Sequence, residues 1–176
     1  MAQKYKVAFE QMQQVLTNDP AAARAPFSAE TRLVDGLHCE AKIRQFDVPI
    51  DEPPALAGTD RGPNPVELVL AALGTCQEIT YQLYAEKMGI ELRGISIRVT
   101  GELDLRGFFA VDDDTRPGYE SIKAEVSLDS PASKEELARL VAAVEAHCPV
   151  LDMLTNKTPV TVTVQRADQP IASVAA

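Results

Sequence analysis

Apolar side chains recur at helical spacing through residues 62–89, GPNPVELVLAALGTCQEITYQLYAEKMG, at Val66, Val69, Leu70, Leu73, Cys76, Ile79, Leu83 and Tyr84. Pro63 and Pro65 bracket Asn64 and keep the chain out of regular structure just before this run. Asn64 is a capping residue type, and Pro65 suits a first helical position, where a missing N–H costs nothing. Gly89 supplies a stop. Ala71, Ala72 and Gly74 trim the middle turns, so another backbone can come close there. The pattern predicts a long, central, buried helix carrying Cys76 in phase with Ala72, Ile79 and Leu83.

The flanking pattern is mixed. Residues 4–16 form a weakly amphipathic helix on Val7, Met12 and Leu16, ended by Asn18, Asp19 and Pro20. Residues 27–34 and 37–48 read as a hairpin turning at Asp35 and Gly36. In its second strand Leu37, Cys39, Ala41 and Ile43 share one face, and His38, Glu40 and Lys42 the other. A loop rich in Gly and Pro leads to the central helix. Alternation returns at residues 90–104. An acidic loop with Phe108 and Phe109 follows, and then a strand over residues 119–128. Ser133 and Glu136 make a capping box for a helix buried on Leu137, Leu140, Val141 and Val144 and running to His147. Pro149 opens a short helix through Leu154, and a last strand covers residues 160–165. The order α, β-β, long α, β, β, α, short α, β defines an α+β protein. Residues 1–22 read as a helical extension, 23–166 as one domain and 167–176 as a flexible tail.

Composition narrows the function classes. The 176 residues carry a formal charge of −9 with no basic stripe, which disfavours nucleic acid as a partner. No segment has the length of a membrane span, and the first residues lack the apolar core of a signal peptide, so a cytoplasmic location is expected. Three cysteines and two histidines, with no CxxC, do not spell a structural zinc site, although His38–Cys39 and His147–Cys148 are adjacent pairs. The acidic run Asp112–Asp113–Asp114 lacks the calcium-loop order. Neither phosphate-loop nor dinucleotide motifs occur, so no cofactor is expected. There is no GxSxG elbow, and His147 with Cys148 is not a protease dyad, because sequence neighbours seldom point at each other.

The remaining chemistry is that of thiols. Cys148 sits where a helix begins, and the N–H groups and dipole there favour a thiolate. Cys76, 72 residues earlier, is its natural partner if the fold joins them. Such a pair supports a peroxidase cycle through a sulfenic acid and a disulfide. The plainer reading makes both of them core cysteines. Glu67 is the nearest acid on the central helix. Arg24, Arg32, Arg44 and Arg61 precede that helix and could stabilise a thiolate or a leaving oxygen.

Two stretches, GPNPVELVLAALGTC ending at Cys76 and VEAHCPVLDML containing Cys148, resemble the OsmC/Ohr family of osmotically inducible and organic-hydroperoxide-resistance proteins. The resemblance covers residues 27–164. It implies an intertwined homodimer in which long central helices are clasped by antiparallel sheets from both chains. It also implies reduction of organic hydroperoxides by a cysteine pair, with a dithiol reductant. On this pattern Cys76 attacks and Cys148 resolves, the reverse of what helix-mouth electrostatics suggests. The resemblance further implies an activating arginine, for which Arg24 is the nearest match by order, with Arg32 and Arg44 as alternatives. One position departs from the pattern: the peroxidatic members place Glu directly after the Asn-Pro pair, and here that residue is Val66, with Glu67 one step later. A side chain turns about 100° per helical residue, so Glu67 faces elsewhere. DEPP and DLRGFFAVDDDTRPGY point to a poorly characterised branch. The alternatives are a non-catalytic member that binds a small apolar ligand, or another thiol-based enzyme.

Overall fold

Helix α2, Pro65–Met88, has the bounds that its flanking residues dictate. The Asn64 side chain accepts from the Val66 N–H at 2.8 Å, and Glu67 Oε2 accepts from the Asn64 N–H at 2.8 Å. Gly89 ends the helix in the left-handed region, φ +70°, where a side chain would be strained. The computed structural model describes residues 4–166 and 169–175, with the backbone alone for Lys4 and for 169–175. Residues 1–3, 167, 168 and 176 lie outside the described residues, and with them parts of the expected extension and tail.

Around α2 the elements run α1 Lys4–Asn18, β1 Glu30–Asp35, β2 His38–Ile43, β3 Phe46–Ile50, then after α2 β4 Gly94–Leu103, α3 Leu105–Phe108, β5 Tyr119–Asp129, α4 Lys134–His147, α5 Pro149–Thr155, β6 Thr161–Arg166 and β7 Gln169–Ala175. All pairings are antiparallel, in three separate sheets ordered β1-β2-β3, β4-β5 and β6-β7. The predicted α+β class is the one observed.

Three expectations change. The strand predicted over residues 37–48 is two strands, β2 and β3, folded at Arg44 and Gln45 so that Ile43 pairs with Phe46. Arg44 takes φ +57°, a conformation that nothing in an Arg-Gln pair announces. The stretch expected as a flexible tail supplies β7 over Gln169–Ala175. The returning chain pairs antiparallel with β6 and satisfies the ladder along one of its edges. On α2 the buried positions are Leu73, Gly74, Gln77, Thr80, Tyr81 and Ala85, whereas Ile79 is 62% exposed.

The core is where α2, α4 and the β4-β5 hairpin meet. Tyr81, Ala85, Ile90, Leu140 and Val144 are buried there, flanked by Leu92, Ile95, Ile97, Val126 and Leu128. Gly74 lies beneath β4, and a Cβ on it would stand 3.3 Å from Val99 Cγ2. Of the three small residues, Gly74 is thus the one whose size a neighbouring strand uses, while Ala71 and Ala72 are exposed. The Ser133 capping box forms as predicted and opens α4.

Asp51 organises the loop that delivers the chain to α2. Its buried carboxylate accepts from the Thr59 hydroxyl at 2.6 Å and from the amides of Glu52, Arg61 and Thr59 at 2.8, 3.2 and 3.3 Å. A Cβ on Gly58 or Gly62 would strike the Glu52 or Pro49 backbone, so this loop closes only around glycine. The Thr59 hydroxyl, helped by the three amides and opposed by burial, holds the Asp51 carboxyl down at about 2. A depressed folded pKa contributes stability above the unfolded value near 3.8, and that stability is lost as pH falls through about 2. Asp51→Asn is therefore expected to melt below the wild type at neutral pH, with the gap in Tm narrowing between about pH 4 and pH 2. A gap that stays constant down to pH 2 contradicts this role.

Candidate functional site: a sheltered pair of thiols

Cys76 lies on the fourth turn of α2, and Cys148 is the single residue between α4 and α5. Pro149 cannot continue a helix hydrogen-bond ladder, so the chain turns at Cys148, with φ −79° and ψ 113°. Because α4 packs along α2 through Leu140 and Val144, this corner is carried over Cys76. The Cys148 thiol donates to Cys76 Sγ with the sulfurs 3.5 Å apart. Both are free thiols; Cys148 is buried, 1% exposed, and Cys76 is half-buried. A disulfide needs about 2.05 Å, so about 1.5 Å of approach closes the bond.

Electrostatics at Cys148 overturn the helix-mouth expectation. Burial pushes its thiol up, and the neighbouring Cys76 adds to this. The amides of Leu151 and Val150 at the start of α5 pull the other way without prevailing. A helix of only seven residues, starting at a buried sulfur beside a second one, does not offset the lost hydration of a thiolate.

The other predicted site residues are elsewhere. Glu67 is exposed and engaged in the capping box, its Oε2 held on the Asn64 amide. Arg24 is exposed just after the 3-10 turn Pro20–Ala23. Among the described residues, no hydrogen bond or ion pair joins Glu67 and Arg24 to each other or to either sulfur. Arg32 pairs with Glu40 across the sheet, and Arg44 lies over the Phe46 ring, 5.2 Å from its centre. Val66, in the position of the family acid, lines an apolar cleft of about 520 Å³ with Leu33, Cys39, Leu103, Phe108 and Phe109. That cleft reaches neither Cys76 nor Cys148 within one chain. Among the described residues, no group of three or more His, Cys, Asp and Glu is placed to hold a metal ion, and no helix is long and apolar enough to cross a membrane.

Two features escape sequence reasoning. Asp51 reads as a sheet-ending acid but is a buried hub; its signal is an acid followed within ten residues by Thr, Gly and Asp turn formers. His147 stacks on Tyr84, with ring centroids 5.2 Å apart and planes 8° from parallel, a contact that no spacing rule predicts across 63 residues.

Known proteins share this arrangement of chain. A model of the OsmC-like protein family matches residues 58–163, more than half of the sequence, including both Cys76 and Cys148. The chain is 27% identical over 130 residues to an uncharacterized protein of Haloferax volcanii, spanning 74% of this chain and 88% of that one. The crystal structure of an OsmC like protein from Mycoplasma pneumoniae superposes with a TM-score of 0.66 at 22% identity, covering 75% of this chain and 89% of the other. An organic hydroperoxide resistance protein OsmC from Legionella pneumophila gives a TM-score of 0.56 at 19% identity, covering 74% and 91%. With the thiol pair, the central helix and the antiparallel sheets all in place, the chain belongs to the OsmC-like protein family.

Proposed function

We propose that this protein is a thiol peroxidase that reduces organic hydroperoxides to alcohols through Cys76 and Cys148. The observation that carries the proposal is the sheltered sulfur pair at 3.5 Å. The Cys76 thiolate attacks the terminal peroxide oxygen, the O–O bond breaks, and the alkoxide leaves as an alcohol after taking a proton. Cys76 is then a sulfenic acid. Cys148 attacks its sulfur, water leaves, and a disulfide forms. An external dithiol restores both thiols through a mixed disulfide. The assignment of Cys76 as attacker agrees with the electrostatics, because Cys148 is the deeper sulfur and its thiol is pushed up.

The working unit of this proposal is a homodimer. The sheets of one chain are small and separate, and every residue of β1 and β6 is exposed. Leu33, Val162 and Val164 stand open on these strands, and Phe27, just before β1, is 94% exposed. Two-stranded sheets are marginal alone, and a second copy of the chain supplies apolar surface to cover them. The site acts in solution with no resident cofactor, and the protein is read as cytoplasmic.

The test is direct. Purified protein is given an alkyl hydroperoxide and a dithiol, and peroxide loss is followed. Intact mass should show the loss of two hydrogens, and peptide mapping should join Cys76 to Cys148. No peroxide loss with both thiols retained rejects the reading. A second reading, storage or transport of a small apolar ligand, is favoured by the cleft at Phe108 and Phe109, where Val66 replaces the family acid. Co-purification of an apolar molecule without peroxide turnover would support it.

A further inference from the structure

Helix α1 lies outside the segment matched to the family, yet it leads to the corner that carries Cys148. The Lys6 amide donates to Glu86 Oε2 at 2.8 Å, which anchors α1 on the last turns of α2. Phe9 meets Tyr84 edge-on, with centroids 5.3 Å apart and planes at 77°. Lys87 Nζ sits 4.6 Å from the centre of the Phe9 ring and 5.4 Å from that of Tyr84. Tyr84 in turn stacks on His147 at 5.2 Å. The contacts Phe9–Tyr84–His147 therefore run from α1, across α2, to the residue next to the buried sulfur.

The position of Cys148 Sγ depends on the end of α4. The Cys148 amide donates to the Val144 carbonyl at 2.9 Å, so the corner moves with the last turn of that helix. His147 is exposed on that same turn, and its stack on Tyr84 ties the turn to α2. Tyr84 stands about two turns beyond Cys76 on the same helix. The same pair of helices is thus joined at two points, once by the sulfurs and once by the rings. Phe9 and Lys87 restrict the Tyr84 ring from a further side.

We infer that Tyr84, backed by Phe9 of α1, is a positioning residue for Cys148 that keeps the second sulfur within closing reach of Cys76. The inference rests on the redox pairing of the two thiols proposed above, and not on a hydroperoxide being the oxidant. It gives the extension outside the matched segment a role in the disulfide step.

The test uses the full-length protein at equilibrium with reduced and oxidised glutathione. One glutathione disulfide accepts two electrons and two protons from the thiol pair, leaving two glutathione thiols and the Cys76–Cys148 disulfide. The effective concentration of the pair is read from the ratio at half oxidation. Phe9→Ala and Tyr84→Leu are expected to lower it by about two- to tenfold, the range a single aromatic contact supplies. Tyr84→Phe keeps the stack and should match the wild type, as should Met12→Ala, on an exposed position of α1. The His147 ring protons should move downfield by NMR in Tyr84→Leu as the ring current is lost. Unchanged effective concentrations in both Phe9→Ala and Tyr84→Leu overturn the positioning role, and so does an equal drop in Met12→Ala. A wild-type pair that stays reduced at every glutathione ratio overturns the redox pairing itself, a separate result.

Discussion

Cys76→Ser is expected to bring hydroperoxide consumption down to the uncatalysed background, a fall on the order of 10³-fold or more. A hydroxyl in the same place is almost wholly protonated at neutral pH and is a poor nucleophile toward oxygen. The surrounding fold should be unaffected, since Cys76 is half-buried and its replacement is nearly isosteric. Cys148→Ser separates the two steps. Its first turnover should proceed, because Cys76 still attacks, but the sulfenic acid then has no neighbouring thiol and persists. A sulfenic-acid trap should label Cys76 in Cys148→Ser and only weakly in the wild type, where the second sulfur at 3.5 Å competes. Steady-state rates measured with a dithiol, beside single-turnover labelling, distinguish these roles. Labelling of Cys148 in Cys76→Ser at a comparable rate would reverse the assignment of attacker and resolver. Equal peroxide consumption by the wild type and Cys76→Ser removes the thiol mechanism altogether.

The largest effect on stability is expected at Leu140. Its side chain is fully buried between α2, α4 and the β4-β5 hairpin, with Tyr81, Ala85 and Val144 around it. Truncation to alanine removes apolar contact and leaves a cavity that the two helices and the sheet can only partly close, at a cost of about 2–5 kcal/mol. A domain of this size has about 5–15 kcal/mol in total, so the variant should unfold at clearly lower denaturant. The effect should also reach the site. α4 carries the corner at Cys148, and a core that relaxes beneath Leu140 loosens the helix that places the second sulfur. Chemical denaturation of both proteins measures the first effect, and disulfide closure in a glutathione buffer the second. A loss below about 1 kcal/mol would mean that the core lies elsewhere.

Much of this fold is legible from local chemistry. The Asn-Pro start and Gly89 stop of α2, the Ser133 capping box, the Asp35–Gly36 turn and the Pro149 helix start all appear where the residues place them. Each involves groups within four or five residues of one another, so the nearby sequence contains the whole interaction. Turns without a residue-type signal are not legible in this way. Arg44 folds β2 onto β3 in a left-handed conformation that an arginine adopts only when the pairing on both sides compensates for it. The face of α2 is similarly hidden. Its apolar and small residues surround most of the helix, and Gln77 and Thr80 are buried while Ile79 is exposed.

The candidate site divides along the same line. The two cysteines and their motifs are visible in the chain, and so is the displacement of the acid from Val66 to Glu67. Glu67 itself serves the start of α2, and Arg24 has no hydrogen-bonded or ionic partner among the described residues. Asp51, which from sequence reads only as an acid ending a sheet edge, holds the loop ahead of the central helix.

By itself the sequence determined the helices α2, α4 and α5 and where they begin, because capping, proline geometry and left-handed glycine act over a single turn. It also determined which thiols exist and that their flanking motifs are those of one family. Only the tertiary structure decided that Cys76 and Cys148 stand 3.5 Å apart, that the buried sulfur is the less acidic than its helix-mouth position suggests, and that Tyr84 stacks on His147. Those properties depend on how α4 lies along α2. That packing sums many weak apolar contacts between residues far apart in the chain, and no local pattern contains it.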